Sequence, residues 1–123
     1  MRALVLDDSR AMRMILTRIL REVGFEVTEA ADGREGLDVL SKGPVPDLAL
    51  IDWNMPEMDG LAFVKEVRQY DRYAGMNLMM VTTESEQSQI VRALAAGAHE
   101  YVIKPFTSEA IVDKLSLLGL ASV

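Results

Sequence analysis

The chain has 123 residues, half of them hydrophobic, with 13 basic against 19 acidic side chains, a formal net charge of −6 and no cysteine. That is the length of one domain, which when folded should expose roughly 6,600 Å² and bury about two thirds of the extended chain's surface, so dominant disorder is excluded. Disulfide scaffolds and Cys-ligated metal sites are excluded too, multi-His sites fall with the single His99, and no basic cluster offers itself to nucleic acid.

Taken in order, short apolar runs alternate with helical patterns. Residues 3–6 read as a buried strand. Met12, Ile15, Leu16, Ile19, Leu20 and Val23 then recur at helical spacing, with Ser9 as N-cap and Gly24 as stop. Residues 25–28 are strand-like. Asp32-Gly33 marks a turn, and 34–42 forms a short helix with Leu37 and Leu40 inward. A Gly-Pro-Val-Pro loop at 43–46 leads to Leu48–Ile51, apolar at every position, which indicates a strand covered on both faces. Residues 52–60 form a loop, 61–69 a helix with Val64 and Val67 inward, and 70–75 a polar connection. A strand at 77–81, a helix at 84–96 stopped by Gly97, a strand at Glu100–Ile103 and a helix capped by Ser108 and running to Leu118 complete the pattern. There is no repeat, low-complexity tract or linker.

The N-terminus runs straight into the first strand, with acids at Asp7 and Asp8, unlike a secretory leader. No apolar run is long enough to span a bilayer. The expectation is a soluble, cytoplasmic, acidic single domain over residues 1–123, with no effector domain, no membrane insertion and no direct contact with nucleic acid.

Five consecutive βα units imply an α/β fold, a parallel sheet with helices on both faces. In such sheets ligands bind beyond the carboxyl ends of the strands, so chemically active residues should follow strands. Asp7 and Asp8 follow the first, Asp52 ends the third, Thr82 and Thr83 follow the fourth and Lys104 the fifth. Singly each has an ordinary explanation: an Asp after a strand is usually a turn former or helix cap, and a lone Lys is a solvated side chain. Together they crowd three carboxylates at one sheet edge, an arrangement that calls for a cation. A hard divalent ion with oxygen ligands, such as Mg²⁺, meets that need.

These residues resemble a known family. Leu4-Val5-Leu6-Asp7-Asp8-Ser9, Asp52-Trp53-Asn54-Met55-Pro56-Glu57-Met58-Asp59-Gly60, Val81-Thr82 and Lys104-Pro105-Phe106 are similar, in order and spacing, to the receiver domains of bacterial two-component response regulators. The likeness runs over essentially the whole chain and is greatest for the stand-alone chemotaxis members. It implies a flavodoxin-like, doubly wound (βα)5 fold with five parallel strands in the order 2-1-3-4-5, and a cis bond at Lys104-Pro105. It implies Asp52 as phosphoacceptor, taking a phosphoryl group from a phosphohistidine on a sensor histidine kinase. Mg²⁺ would be held by Asp8, Asp52 and the Asn54 carbonyl, with Asp7 acting through a metal-bound water. Lys104 would neutralise phosphoryl oxygens and Thr82 would hydrogen-bond the attached group.

Further roles follow from the same resemblance. Tyr101 would switch rotamer as Thr82 moves, reshaping an output face that includes Ile90, Leu94, Ala98, Tyr101 and Lys114. Asn54 and Glu84 would tune hydrolysis, and Thr83, larger than its usual counterpart, would restrict small phosphodonors. His99 is expected to be exposed and inert. The implied partners are the kinase, an output protein such as a flagellar switch component, and a phosphatase as a further candidate. Such a module modifies only itself and is not a turnover enzyme. Three alternatives remain: a phosphorelay intermediate passing the group to another histidine, an Asp-nucleophile phosphohydrolase using Asp52 and Asn54, and a flavodoxin-type cofactor carrier. The second normally requires a cap domain. The third is opposed by negative charge after the first strand.

Overall fold

The computed structural model describes residues 1–121; the last two residues of the expected domain lie outside the described residues. The elements are β1 (Arg2–Leu6), α1 (Arg10–Val23), β2 (Glu26–Ala30), α2 (Gly33–Lys42), β3 (Leu48–Ile51), α3 (Gly60–Val67), a 3₁₀ turn (Asp71–Tyr73), β4 (Asn77–Thr82), α4 (Gln87–Ala96), β5 (Glu100–Ile103) and α5 (Ser108–Leu117). All strand pairs are parallel, in the order β2-β1-β3-β4-β5. This is the doubly wound, flavodoxin-like arrangement. The accessible surface is 6444 Å², close to the expectation from length.

The period of two along each strand sorts the core into two layers. Leu4, Leu6, Ala49, Ile51, Leu78 and Met80 point to one face, where Leu40 of α2, Phe63, Val64 and Val67 of α3 and Ala93 of α4 cover them. Ala3, Val5, Leu48, Leu50, Met79 and Val81 point to the other, beneath Leu16, Ile19 and Leu20 of α1 and Ile111 and Leu115 of α5. Both faces are buried, which is why the inner strands are apolar at consecutive positions.

Boundaries differ from the sequence pattern where tertiary bonds intervene. The second strand begins at Glu26, not Phe25. Gly24, at φ +119, donates to the Arg21 carbonyl and Phe25 to that of Leu20, which closes the end of α1. The last helix is capped by Thr107, whose hydroxyl accepts from the Ala110 N–H, while Ser108 is its first residue. The fourth helix starts at Gln87, three residues later than its spacing suggests. Glu84 is held out of it, because its N–H donates to Thr82 Oγ1 (3.4 Å) and its carbonyl accepts from the Tyr101 hydroxyl (2.8 Å). Thr82 itself closes β4 and is fully buried.

Candidate functional site

The site is assembled by continuing the sheet one residue past its strands. The Asp7 N–H donates to the Ala30 carbonyl (3.2 Å), Asp52 N–H to Leu6 (2.9 Å) and Lys104 N–H to Thr82 (2.9 Å). Each chain is still in register when it presents its polar side chain, so groups up to 97 positions apart meet at one edge. Arg13 adds a clamp from α1, donating from Nη1 to the Asp7 carbonyl at 2.7 Å while pairing with Glu29 at 3.2 Å.

Asp7, Asp8 and Asp52 each place a carboxylate oxygen within 4.8 Å of the others. Asp7 and Asp52 are buried and Asp8 is exposed. Lys104 Nζ lies 2.8 Å from Asp7 Oδ2 and 3.5 Å from Asp52 Oδ2. One ammonium therefore faces three carboxylates, which leaves an excess of negative charge in a partly desolvated hollow. An all-oxygen donor set of this kind fits a hard divalent cation. Ser9 caps α1 through its hydroxyl and its N–H binds Asp7 Oδ1 (2.9 Å). Asp8 is thus free of the capping role that a lone Asp there would suggest.

Asp52 carries the clearest electrostatic signature. Burial pushes its carboxyl above the ordinary 3.8, and Asp7 adds to this, against the Thr82 hydroxyl, the Lys104 charge and the Asn54 N–H. That N–H approaches Asp52 Oδ1 at 3.4 Å, and the Asn54 side chain donates to Glu84 Oε1 at 3.4 Å. The mouth of the hollow is thus flanked by Asn54 and Glu84, with Thr83 exposed beside them. Lys104-Pro105 is a cis peptide.

The family description "Response regulator receiver domain" matches residues 3–116. The chain belongs to this family. It is 43% identical over 124 residues to the chemotaxis protein CheY homolog of Campylobacter jejuni, covering 99% of this chain and 95% of that protein. It is 40% identical over 119 residues to the chemotaxis protein CheY1 of Helicobacter pylori, covering 96% of each. Among solved structures, the chemotaxis response regulator CheY4 of Vibrio cholerae superposes with a TM-score of 0.88 at 36% identity, over 95% of this chain and 97% of that one. Receiver domains are signalling proteins rather than turnover enzymes. The acidic hollow found here is a pocket that could hold a metal ion. Among the described residues no helix is long and apolar enough to cross a membrane.

Away from the hollow, the residues named for the receiver's output face divide. Ile90, Leu94, Tyr101 and Lys114 line a shallow cleft of about 310 Å³, together with His99, Glu100 and Ile103. Leu94 is 43% exposed, so the Ile90–Leu94 pair is not simply core. Ala98 does not belong to the cleft. It is 7% exposed and sits in the core layer with Ala93, whose carbonyl its N–H reaches at 3.1 Å. Lys114 pairs with Glu100 at 2.8 Å. Tyr101 is half-buried against the same core layer, and burial first, then Glu84 and Asp52, push its hydroxyl up to about 12. That hydroxyl donates to the Glu84 carbonyl at 2.8 Å.

His99 is exposed, as expected, but not inert. Its Nδ1 accepts from the Leu78 N–H at 3.1 Å and lies 3.4 Å from Arg68 Nη2. Sequence reasoning missed Arg68, Arg13 and the Arg92 guanidinium 5.9 Å from the Trp53 ring centroid. Of these only Arg13, at helical distance behind the acid pair, carried a local signal.

Proposed function

We propose that residues 1–123 form one receiver domain of a response regulator, in which Asp52 accepts a phosphoryl group from the phosphohistidine of a sensor histidine kinase. An Asp52 carboxylate oxygen attacks phosphorus in line. The phosphorus–nitrogen bond breaks, its electron pair returns to the imidazole, and an aspartyl phosphate results. Such transfers need positioning and charge neutralisation more than covalent assistance. Lys104, already between Asp7 and Asp52, neutralises phosphoryl oxygens, and the Thr82 hydroxyl turns to donate to one of them. Asp8, Asp52 and the Asn54 carbonyl would hold Mg²⁺, with Asp7 acting through a water. The ion supplies positive charge against the transferred group.

Asn54 and Glu84, at the mouth, orient or exclude the water that hydrolyses the acyl phosphate. The Thr83 side chain narrows access for small phosphodonors. Output follows from the Glu84 loop. When Thr82 swings to the phosphoryl group, the loop and Tyr101 adjust, and the cleft between α4, β5 and α5 changes shape for a protein partner. The names of the chemotaxis relatives favour a motility role, with a flagellar switch component as target and a phosphatase as a further partner, all in the cytoplasm.

The observation that carries this reading is the convergence of three carboxylates, one lysine and one hydroxyl at four strand ends. The test is intact-mass measurement and peptide mapping after incubation with Mg²⁺ and a small phosphodonor. One phosphoryl group on Asp52 is expected, and none in Asp52→Asn. Wild-type phosphorylation of Asp52→Asn would refute the assignment.

A further inference from the structure

A second polar assembly lies at the opposite end of the sheet, where β4 and β5 begin. Arg68, just past α3, donates from Nε to the Gly97 carbonyl (3.1 Å), from Nη1 to Tyr73 (3.0 Å) and from Nη2 to Met76 (2.8 Å). It ties three segments together: the α3 end, the 3₁₀ turn and the α4–β5 turn. His99 completes the assembly. Its backbone N–H donates to the Leu78 carbonyl (2.8 Å), and its ring Nδ1 accepts from the Leu78 N–H (3.1 Å). The imidazole thus stands in for a strand carbonyl that β5, which starts one residue later, does not supply.

An acceptor at Nδ1 requires the neutral ring with its proton on Nε2. A proton on Nδ1 turns that acceptor into a donor aimed at another donor, and places positive charge beside Arg68. The charged groups around the ring are Arg68 from the α3 end, Glu100 of β5 and Lys114 of α5, the last two paired at 2.8 Å. From β4 the ring meets the Leu78 backbone. His99 also lines the cleft with Ile90, Leu94 and Tyr101.

We propose that His99 is a pH-sensitive latch: the neutral ring holds the α4–β5 turn on the first residues of β4, and protonation releases that turn and reshapes the neighbouring cleft. Only the consequence for signalling rests on the output-face reading; the latch itself does not. Partial desolvation on the ring's protein-facing side, and then Arg68, lower the His99 pKa below 6.5, against a smaller opposing effect of Glu100, although the residue as a whole is exposed. The unfolded chain therefore takes up this proton first. The latch contributes fully above about pH 6.5 and weakens as pH falls from there to the folded value.

The experiment is an NMR pH titration of the intact protein, following the His99 ring and the Leu78, Ile90, Leu94 and Tyr101 amides, with hydrogen exchange at Leu78. The Leu78 amide should shift with the midpoint of the His99 ring, and its protection factor should drop roughly three- to tenfold across it. Asn at this position offers an Oδ1 acceptor in place of Nδ1 and does not titrate. In His99→Asn, Leu78 should stay protected and flat with pH. A Leu78 amide that ignores the His99 titration overturns the latch. A Leu78 response without any in Ile90, Leu94 and Tyr101 overturns the link to the cleft. Failure of the output-face reading would appear separately, as loss of phosphorylation-dependent partner binding with the latch intact.

Discussion

The phosphoryl transfer proposed for Asp52 needs its ionised carboxylate, and burial disfavours that form in the unmodified protein. Its carboxyl binds protons more tightly folded than unfolded, because burial outweighs the help of Thr82 and Lys104. The sign follows from linkage. Below the unfolded value of 3.8 the effect vanishes; as pH rises through the folded value the ionised group becomes a constant cost. Without divalent metal at pH 7, Asp52→Asn should therefore unfold later than the wild type. The gain should be read as a higher Tm for the variant. The difference should close as pH falls toward 4. Thermal melts in a chelator at several pH values measure this, and an Asp52→Asn protein less stable at pH 7 would show that the carboxylate is a net structural asset. Thr17 is a separate case, buried with its hydroxyl unpartnered.

Elements were legible in the sequence wherever one local rule dominated. Leu48–Ile51 is apolar at every position because helices lie on both sides, and Gly24 ends α1 because its left-handed φ suits glycine. The acid cluster was legible because parallel strands must deliver their carboxyl ends to one edge. What was not legible depends on partners remote in sequence. The start of α4 is set by Tyr101, seventeen positions on from Glu84. Arg68 reads as a surface arginine until its acceptor carbonyls at Tyr73, Met76 and Gly97 are folded around it. Ala98 reads as part of an exposed face until the core closes over it. The β3–α3 loop shows how tightly an element and the site are joined. The Gly60 N–H donates to the Trp53 carbonyl at 2.9 Å, and a Cβ at Gly60 would collide with the Asp52 backbone carbonyl. Gly60→Ala must push either α3 or the end of β3 away. It should cost about 1–3 kcal/mol in urea unfolding and slow phosphorylation of Asp52 even in the folded fraction. Gly43→Ala, with open space around its Cβ, is the matched control. Equal stability in the two variants would mean that the loop relaxes freely.

Across the whole molecule, the hollow and the cleft are joined through one short loop. Glu84 meets Asn54 with its carboxylate, Thr82 with its N–H and Tyr101 with its carbonyl. Under the proposed function, such a joint would let modification bias a two-state equilibrium. Couplings between sites are typically about 1–3 kcal/mol, so phosphorylation should change partner affinity roughly 5- to 150-fold, and the partner must raise affinity for a phosphoryl mimic by the same factor. Beryllofluoride titrations with and without an isolated partner measure that factor. Thr82→Ala should leave Asp52 phosphorylatable yet shrink it, because the hydroxyl that follows the phosphoryl group is gone. Tyr101→Phe keeps the ring and removes only the 2.8 Å bond to the Glu84 carbonyl, so it isolates the loop's share and should give an intermediate value. Tyr101→Ala should bring the factor close to one. Lys42, whose side chain is 72% exposed on α2, can be replaced without effect. If Thr82→Ala and Tyr101→Ala both keep the wild-type factor, the signal leaves the hollow by a route that bypasses Glu84.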